Sequence, residues 1–185
     1  MHKKIDYQKK IITVPNILSA FRLCLIPVIV WLYCVQKDYL WTTVVLVLSG
    51  LTDIVDGFIA RRFHMISDLG KALDPIADKL TQAAMLFCLV TRFPFMWIPL
   101  TLLIVKVAFV GITSLLTIHK TKIVLGADWH GKIATVVLYA MMLVHLVWYE
   151  IPAICSNILI GICMAVMLLS LAIYGIRNVR ILTEK

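Results

Sequence analysis

Six times between Asn16 and Gly175 the chain runs through about twenty mostly apolar residues, and each run stops at a short polar or basic turn. No other feature constrains the fold as much. Hydrocarbon offers no water to backbone N–H and C=O groups, so a run that lies in lipid must close its own hydrogen bonds as a helix. The runs cover 16–35, 39–60, 71–91, 96–117, 131–149 and 153–175. Hydrophobic residues make up 62% of the 185 and charged residues 15%, which is less charge than a soluble domain carries. The expected architecture is all-α and integral to a membrane. A polar, basic N-terminal segment over 1–15 precedes a single domain of six transmembrane helices over 16–185. The basic N-terminus does not read as a cleaved signal, because no small-residue cleavage site follows the first run.

Charge sets the orientation. The formal net charge is +8, from 18 Lys and Arg against 10 Asp and Glu. In a soluble protein that balance invites a nucleic-acid reading. Here the basic residues sit between apolar runs, which points to bilayer orientation and anionic lipid instead. Lys3, Lys4, Lys9, Lys10, Arg22, Arg61, Arg62, Lys71, Lys79, Lys120, Lys122, Lys132, Arg177, Arg180 and Lys185 fall on the side of the termini, and only Lys37 and Arg92 fall opposite. The positive-inside rule therefore puts both termini in the cytoplasm. Lys106 is left within the fourth run, where a lysine is costly unless paired or near water.

The exception to the oil is the stretch TDIVDGFIARRFHMISDLGKALDPIADK, residues 52–79. Asp53 and Asp56 are three apart and Asp74 and Asp78 four apart, so each pair shares a helical face. A short basic turn separates the pairs, so two helices meeting there as a hairpin would let them face each other. Four facing carboxylates repel strongly in a low-dielectric surround. Divalent metal is the natural compensation, and oxygen-only ligands favour magnesium, manganese or calcium over zinc. Two such ions suit phosphate chemistry. Asp68 and Ser67 read as helix caps or loop-setting residues, and Pro75 as a place where the third helix begins or bends. Pro15-Asn16 reads as a helix start with Asn16 a cap, and Pro27 as a kink in the first run. Arg22 either snorkels to the interface or helps to hold the carboxylates or a diphosphate.

Asp56-Gly57, then Ala60-Arg61, Gly70, Asp74 and Asp78 at their spacings fill every fixed position of the signature of the CDP-alcohol phosphatidyltransferase family, which the chain also resembles in length and hydrophobic layout. The resemblance implies a cytoplasmic-side metal site and transfer of a phosphatidyl group from CDP-diacylglycerol to an alcohol, with release of CMP. It implies Asp53, Asp56, Asp74 and Asp78 around two Mg2+ or Mn2+ ions, with Asp78 also deprotonating the acceptor hydroxyl. Gly57 and Ala60 would leave room for the nucleotide, Arg61 would contact the diphosphate, and Gly70 would allow close approach. A homodimer in a bacterial cell membrane is the associated expectation.

The acceptor is less legible. Lys132, with Lys106, Lys120, Lys122, Arg177 and Arg180, could form a basic pocket for a phosphorylated alcohol. The layout, with Gly131-Lys132-Ile133 opening the fifth run, is similar to bacterial phosphatidylglycerophosphate synthases, which makes glycerol 3-phosphate the first expectation. Two departures stand against it: Lys106-Val107 where those synthases usually carry Arg-Glu, and Ala134-Thr135 where they usually carry a lysine before the threonine. Cardiolipin synthesis with phosphatidylglycerol as acceptor is the alternative, followed by inositol phosphate or serine acceptors and by a metal-dependent lipid diphosphate hydrolase. A cation transporter would hold its carboxylates at mid-membrane instead, and a purely structural protein would have no need of them. His64, His119 and His130 lack zinc-ligand spacing, His145 reads as a packed or hydrogen-bonded side chain, and the five scattered cysteines read as small buried hydrophobes.

Overall fold

The computed structural model describes residues 14–62, 68–121 and 129–183, and these are helical with short turns. The helices are α1 (Val14–Trp31), α2 (Tyr39–Arg62), α3 (Asp68–Val90), α4 (Trp97–Thr121), α5 (Trp129–Val147) and α6 (Ala153–Thr183). All six expected helices are present, with shifted ends. Helix α1 starts at Val14, so Asn16 lies inside its first turn and is not its cap. Helix α3 starts at Asp68, so Pro75 is interior and does not begin it; as an interior proline it withholds an N–H from the carbonyl four residues earlier. Helix α6 runs past Gly175 to Thr183, because loss of hydropathy ends a membrane span without ending a helix, and no glycine or proline follows to stop it. Residues 1–13, 63–67 (Ser67 among them) and 122–128 lie outside the described residues.

Among the described residues, four helical stretches are long and apolar enough to cross a membrane: Asn16–Gln36, Pro94–Thr113, Trp129–Val147 and Ala153–Asn178. The apolar part of α2, Tyr39–Asp53, is shorter. Helix α3 carries its charged residues in its first half. Exposure follows the logic of an apolar solvent. Ser19, Arg22, Thr42, Ser49, Gln82, Ser170 and Asn178 are buried, while Leu40, Trp41, Trp129, Ile154 and Ile176 are exposed. Water would drive the opposite arrangement. These helices make the chain an integral membrane protein.

The chain divides into two compact units within α3, Met1–Met85 and Leu86–Lys185. In the first, α1 packs on α2. Ser19, Arg22 and Ile29 recur along the buried face of α1, and Thr42, Leu46 and Ser49 along that of α2, with Ser49 one turn before Asp53. A π-helical turn over Leu32–Gln36 and Lys37 in the left-handed region (φ 54°) reverse the chain. Asp38 then accepts the Trp41 N–H at 3.0 Å and caps α2. In the second unit α6 packs against α4 and α5.

Candidate carboxylate site

Three helices of the first unit supply the site. Arg22 of α1 reaches Asp53 of α2 and Asp74 of α3, its Nη1 lying 2.6 Å and 3.2 Å from the two Oδ1 atoms. The residues place these groups by periodicity. Arg22 falls on the buried stripe of α1, Asp53 continues the stripe of α2, and Asp74 is one turn before Asp78 on α3. The guanidinium is 1% exposed, whereas the carboxylates are 42% and 41% exposed. The cation is therefore enclosed and the anions open outward. The charges of Asp74 and Asp78 both act on Asp53 against the attraction of Arg22.

Asp78 is engaged on its own helix. Gln82 Nε2 donates to both of its oxygens at 3.1 Å, and Lys79 Nζ lies 2.9 Å from Oδ2. Sequence reading missed these partners. The i, i+4 spacing of Asp78 and Gln82 was the available signal. Asp56, Gly57, Ala60 and Arg61 lie in the last two turns of α2 and Gly70 in the first turn of α3, but their side chains fall outside the described residues. Those of Asp68 and Lys71 do as well.

Among the described residues no three acidic, histidine or cysteine side chains close into a metal site. The donors that do converge are carboxylate oxygens alone, the chemistry of a hard divalent cation, and two of them already share one positive charge. One turn before Asp53, the buried Ser49 hydroxyl meets no hydrogen-bond partner among the described residues.

The second unit holds a separate polar cluster. Lys106 Nζ donates to Ser170 Oγ at 3.0 Å, and Ser170 lies 3.4 Å from His130 Nδ1. The His130 ring meets Tyr174 edge to face at 4.6 Å, and Arg177 sits 5.0 Å above the Tyr174 ring. Gly131 exists here for space: a Cβ on it would lie 2.5 Å from the Tyr174 hydroxyl. Lys132, expected to bind an acceptor phosphate, belongs to this unit and is exposed near the start of α5. His145 is packed and hydrogen-bonded as its position implied. Its Nδ1–H donates to the Met141 carbonyl at 2.8 Å, so in the neutral ring Nε2 accepts from the Ser156 hydroxyl at 2.9 Å.

Residues 12–174 match the family described as CDP-alcohol phosphatidyltransferase. The chain is similar to a cardiolipin synthase (CMP-forming) of Streptomyces coelicolor, 38% identical over 118 residues that cover 60% of this chain and 54% of that one. It is similar to the human cardiolipin synthase (CMP-forming), 42% identical over 51% of this chain and 31% of the other. An Arabidopsis thaliana protein named CDP-diacylglycerol–glycerol-3-phosphate 3-phosphatidyltransferase 2 is 39% identical over 45% of this chain and 36% of its own length. The chain thus spans about half of the Streptomyces relative and about a third of the other two.

Proposed function

The chain belongs to the CDP-alcohol phosphatidyltransferase family, and we propose that it transfers the phosphatidyl group of CDP-diacylglycerol to an alcohol, releasing CMP. The observation that carries this reading is the convergence of Asp53 and Asp74, from two different helices, on one buried guanidinium. An ordinary pair of interfacial acids has no reason to be drawn together in this way.

Asp53, Asp56, Asp74 and Asp78 would hold one or two divalent ions, whose contribution is to neutralise charge on the diphosphate and on the departing CMP. The remaining steps belong to the chain. Arg61 offers a planar fork to the diphosphate oxygens. Gly57 and Ala60 leave the nucleotide room against α2, and Gly70 does the same at the start of α3. The acceptor oxygen forms a bond to the phosphatidyl phosphorus as the bond from that phosphorus to the CMP oxygen breaks. CMP leaves with the electron pair, and Asp78 takes the hydroxyl proton. Gln82 and Lys79 fix the Asp78 carboxylate in orientation for that task. In the same proposal the chain crosses a bacterial membrane six times, faces its site and termini to the cytoplasm, and works as a homodimer.

Of the two acceptors, phosphatidylglycerol is favoured. The Streptomyces and human relatives carry the name cardiolipin synthase, and Lys106-Val107 and Ala134 remove charges that a glycerol 3-phosphate enzyme of this layout usually has. Glycerol 3-phosphate remains the second reading, favoured by Lys132 and the Arabidopsis relative. An acceptor screen decides. Purified protein receives labelled CDP-diacylglycerol with Mg2+ or Mn2+ and one alcohol per reaction, while CMP and lipid products are followed. Cardiolipin formed from phosphatidylglycerol supports the first reading, and phosphatidylglycerophosphate formed from glycerol 3-phosphate alone supports the second. CMP release without any acceptor overturns transfer in favour of hydrolysis.

A further inference from the structure

Arg22 is the one charged side chain among the described residues that is almost fully enclosed, at 1% exposure. A cation at that depth is stable only beside anions. It has them in Asp53 and Asp74, both on the same nitrogen. Those two oxygens are also donors that a divalent ion would take. A metal and the guanidinium therefore make the same demand on the same atoms, and both answer the same electrostatic problem, the repulsion among Asp53, Asp74 and Asp78.

We propose that Arg22 is the resident cation of the carboxylate cluster: it clamps Asp53 and Asp74 together while no metal is bound, and gives up at least one of them when the metal loads. Arg22 is thus a positioning residue, acting through the two carboxylates. The clamp ties α1 to the site, since it is a contact by which that helix reaches Asp53 and Asp74. It also keeps α2 and α3 in register for metal entry without requiring the metal to assemble them. The asymmetry of exposure fits exchange. The open faces of Asp53 and Asp74 admit an ion from outside while the enclosed guanidinium stays in place behind them.

The inference rests on the metal reading proposed above, and the test separates the two. The full chain in detergent is prepared as wild type, Arg22→Lys, Arg22→Met, Asp53→Asn and Arg22→Met/Asp53→Asn. Thermal unfolding is followed in EDTA and in saturating Mn2+, and Mn2+ uptake is followed by electron paramagnetic resonance. In EDTA, Arg22→Met is expected to melt roughly 10 °C below wild type, because a carboxylate pair loses its counter-charge. The double variant regains a large part of that loss, and Arg22→Lys, which keeps the charge without the fork, falls between. Mn2+ stabilises Arg22→Met more than wild type, since metal and guanidinium are redundant. Arg22→Met binds Mn2+ about tenfold more tightly, because a fixed like charge has gone from the donors.

A purely structural arginine gives a different pattern: the same melting deficit with and without Mn2+, no recovery in the double variant, and weaker Mn2+ binding. Any of these overturns the proposal. If Arg22→Met does not fold, the Mn2+ affinity of Arg22→Lys decides, with an unchanged or weaker value counting against exchange. A wild type that takes up no Mn2+ overturns the metal reading and the exchange together, while the EDTA cycle still decides whether Arg22 clamps the carboxylates.

Discussion

Gly131→Ala tests the packing of the second unit at one atom. The added methyl carbon would lie 2.5 Å from the Tyr174 hydroxyl, 3.1 Å from Cε2 and 3.2 Å from Cζ. Carbon–carbon contacts are most favourable near 3.5–4.0 Å, so the ring must retreat by roughly 1 Å. Retreat is hindered: Tyr174 is 7% exposed, its ring meets His130 edge to face at 4.6 Å, and Arg177 lies over it at 5.0 Å. Overpacking of this kind costs about 1–3 kcal/mol, against which alanine returns about 1 kcal/mol of helix propensity. The single variant should therefore lose up to about 2 kcal/mol, a drop of roughly 4–8 °C in melting temperature for a chain of this size. The sharper quantity is the coupling with Tyr174→Phe. Without the hydroxyl the shortest contact disappears, so Gly131→Ala should cost at least about 1 kcal/mol less in that background. Any hydrogen bond the hydroxyl makes is missing from both arms of that second comparison and cancels. Thermal unfolding of the four proteins measures the cycle. Equal cost in both backgrounds, or a stabilised single variant, would refute the close approach as the reason for a glycine at 131.

Three other outcomes are expected. Asp78→Asn keeps the shape of the carboxylate but cannot accept the acceptor proton, so kcat should fall by about 10²–10⁴-fold with little change in KM for CDP-diacylglycerol, measured by CMP release. Removing divalent ions with EDTA should abolish turnover, and Mg2+ or Mn2+ should restore it where Zn2+ does not, because the donors are carboxylate oxygens. His145→Ala deletes the bond to the Met141 carbonyl, leaves the buried Ser156 hydroxyl without its imidazole and removes the Phe93 ring contact at 4.9 Å. Thermal unfolding should show a loss of about 2–4 kcal/mol, with Ser156→Ala costing less.

Six helices were legible in the sequence as six apolar runs; for the four stretches among the described residues that are long and apolar enough to cross a membrane, hydrocarbon leaves the backbone a single option. Their ends were less legible. Val14 and Asp68 begin helices ahead of the prolines that had marked the start: Pro15 lies in the first turn of α1, where its missing N–H costs nothing, and Pro75 lies two turns into α3, where it forfeits one helical hydrogen bond without ending the helix. For the site, spacing put Asp53 with Asp56 on one helical face and Asp74 with Asp78 on another; the hairpin that would make the pairs face each other turns on residues outside the described ones, and what the described residues show is Asp53 and Asp74 sharing Arg22. Spacing could not choose between a snorkelling Arg22 and a buried one. That choice depends on which face of α1 packs on α2, a tertiary fact. The same holds for Lys106, whose Ser170 partner is 64 residues away in the chain.

Lys106 and Arg22 show two ways of keeping a cation in an apolar protein, and the difference bears on what each region does. Arg22 is neutralised by charge: two carboxylates, each more than a third exposed, that an incoming ion could also use. Lys106 is seated on a hydroxyl buried to 1% exposure, and Ser170 as acceptor for Lys106 is free to donate its own proton to the buried His130. A charge pair with an open anionic side can exchange one cation for another at modest cost. Around Lys106 the buried members are Ser170 and His130, and neither can change partner without leaving a polar atom unsatisfied in a low dielectric. The first arrangement is suited to admitting a ligand and the second to holding α4, α5 and α6 in register. On these grounds substitutions at Arg22 should change metal dependence, whereas Ser170→Ala should change stability by the same amount in EDTA and in Mn2+. A metal-dependent effect of Ser170→Ala on unfolding would contradict this division of labour.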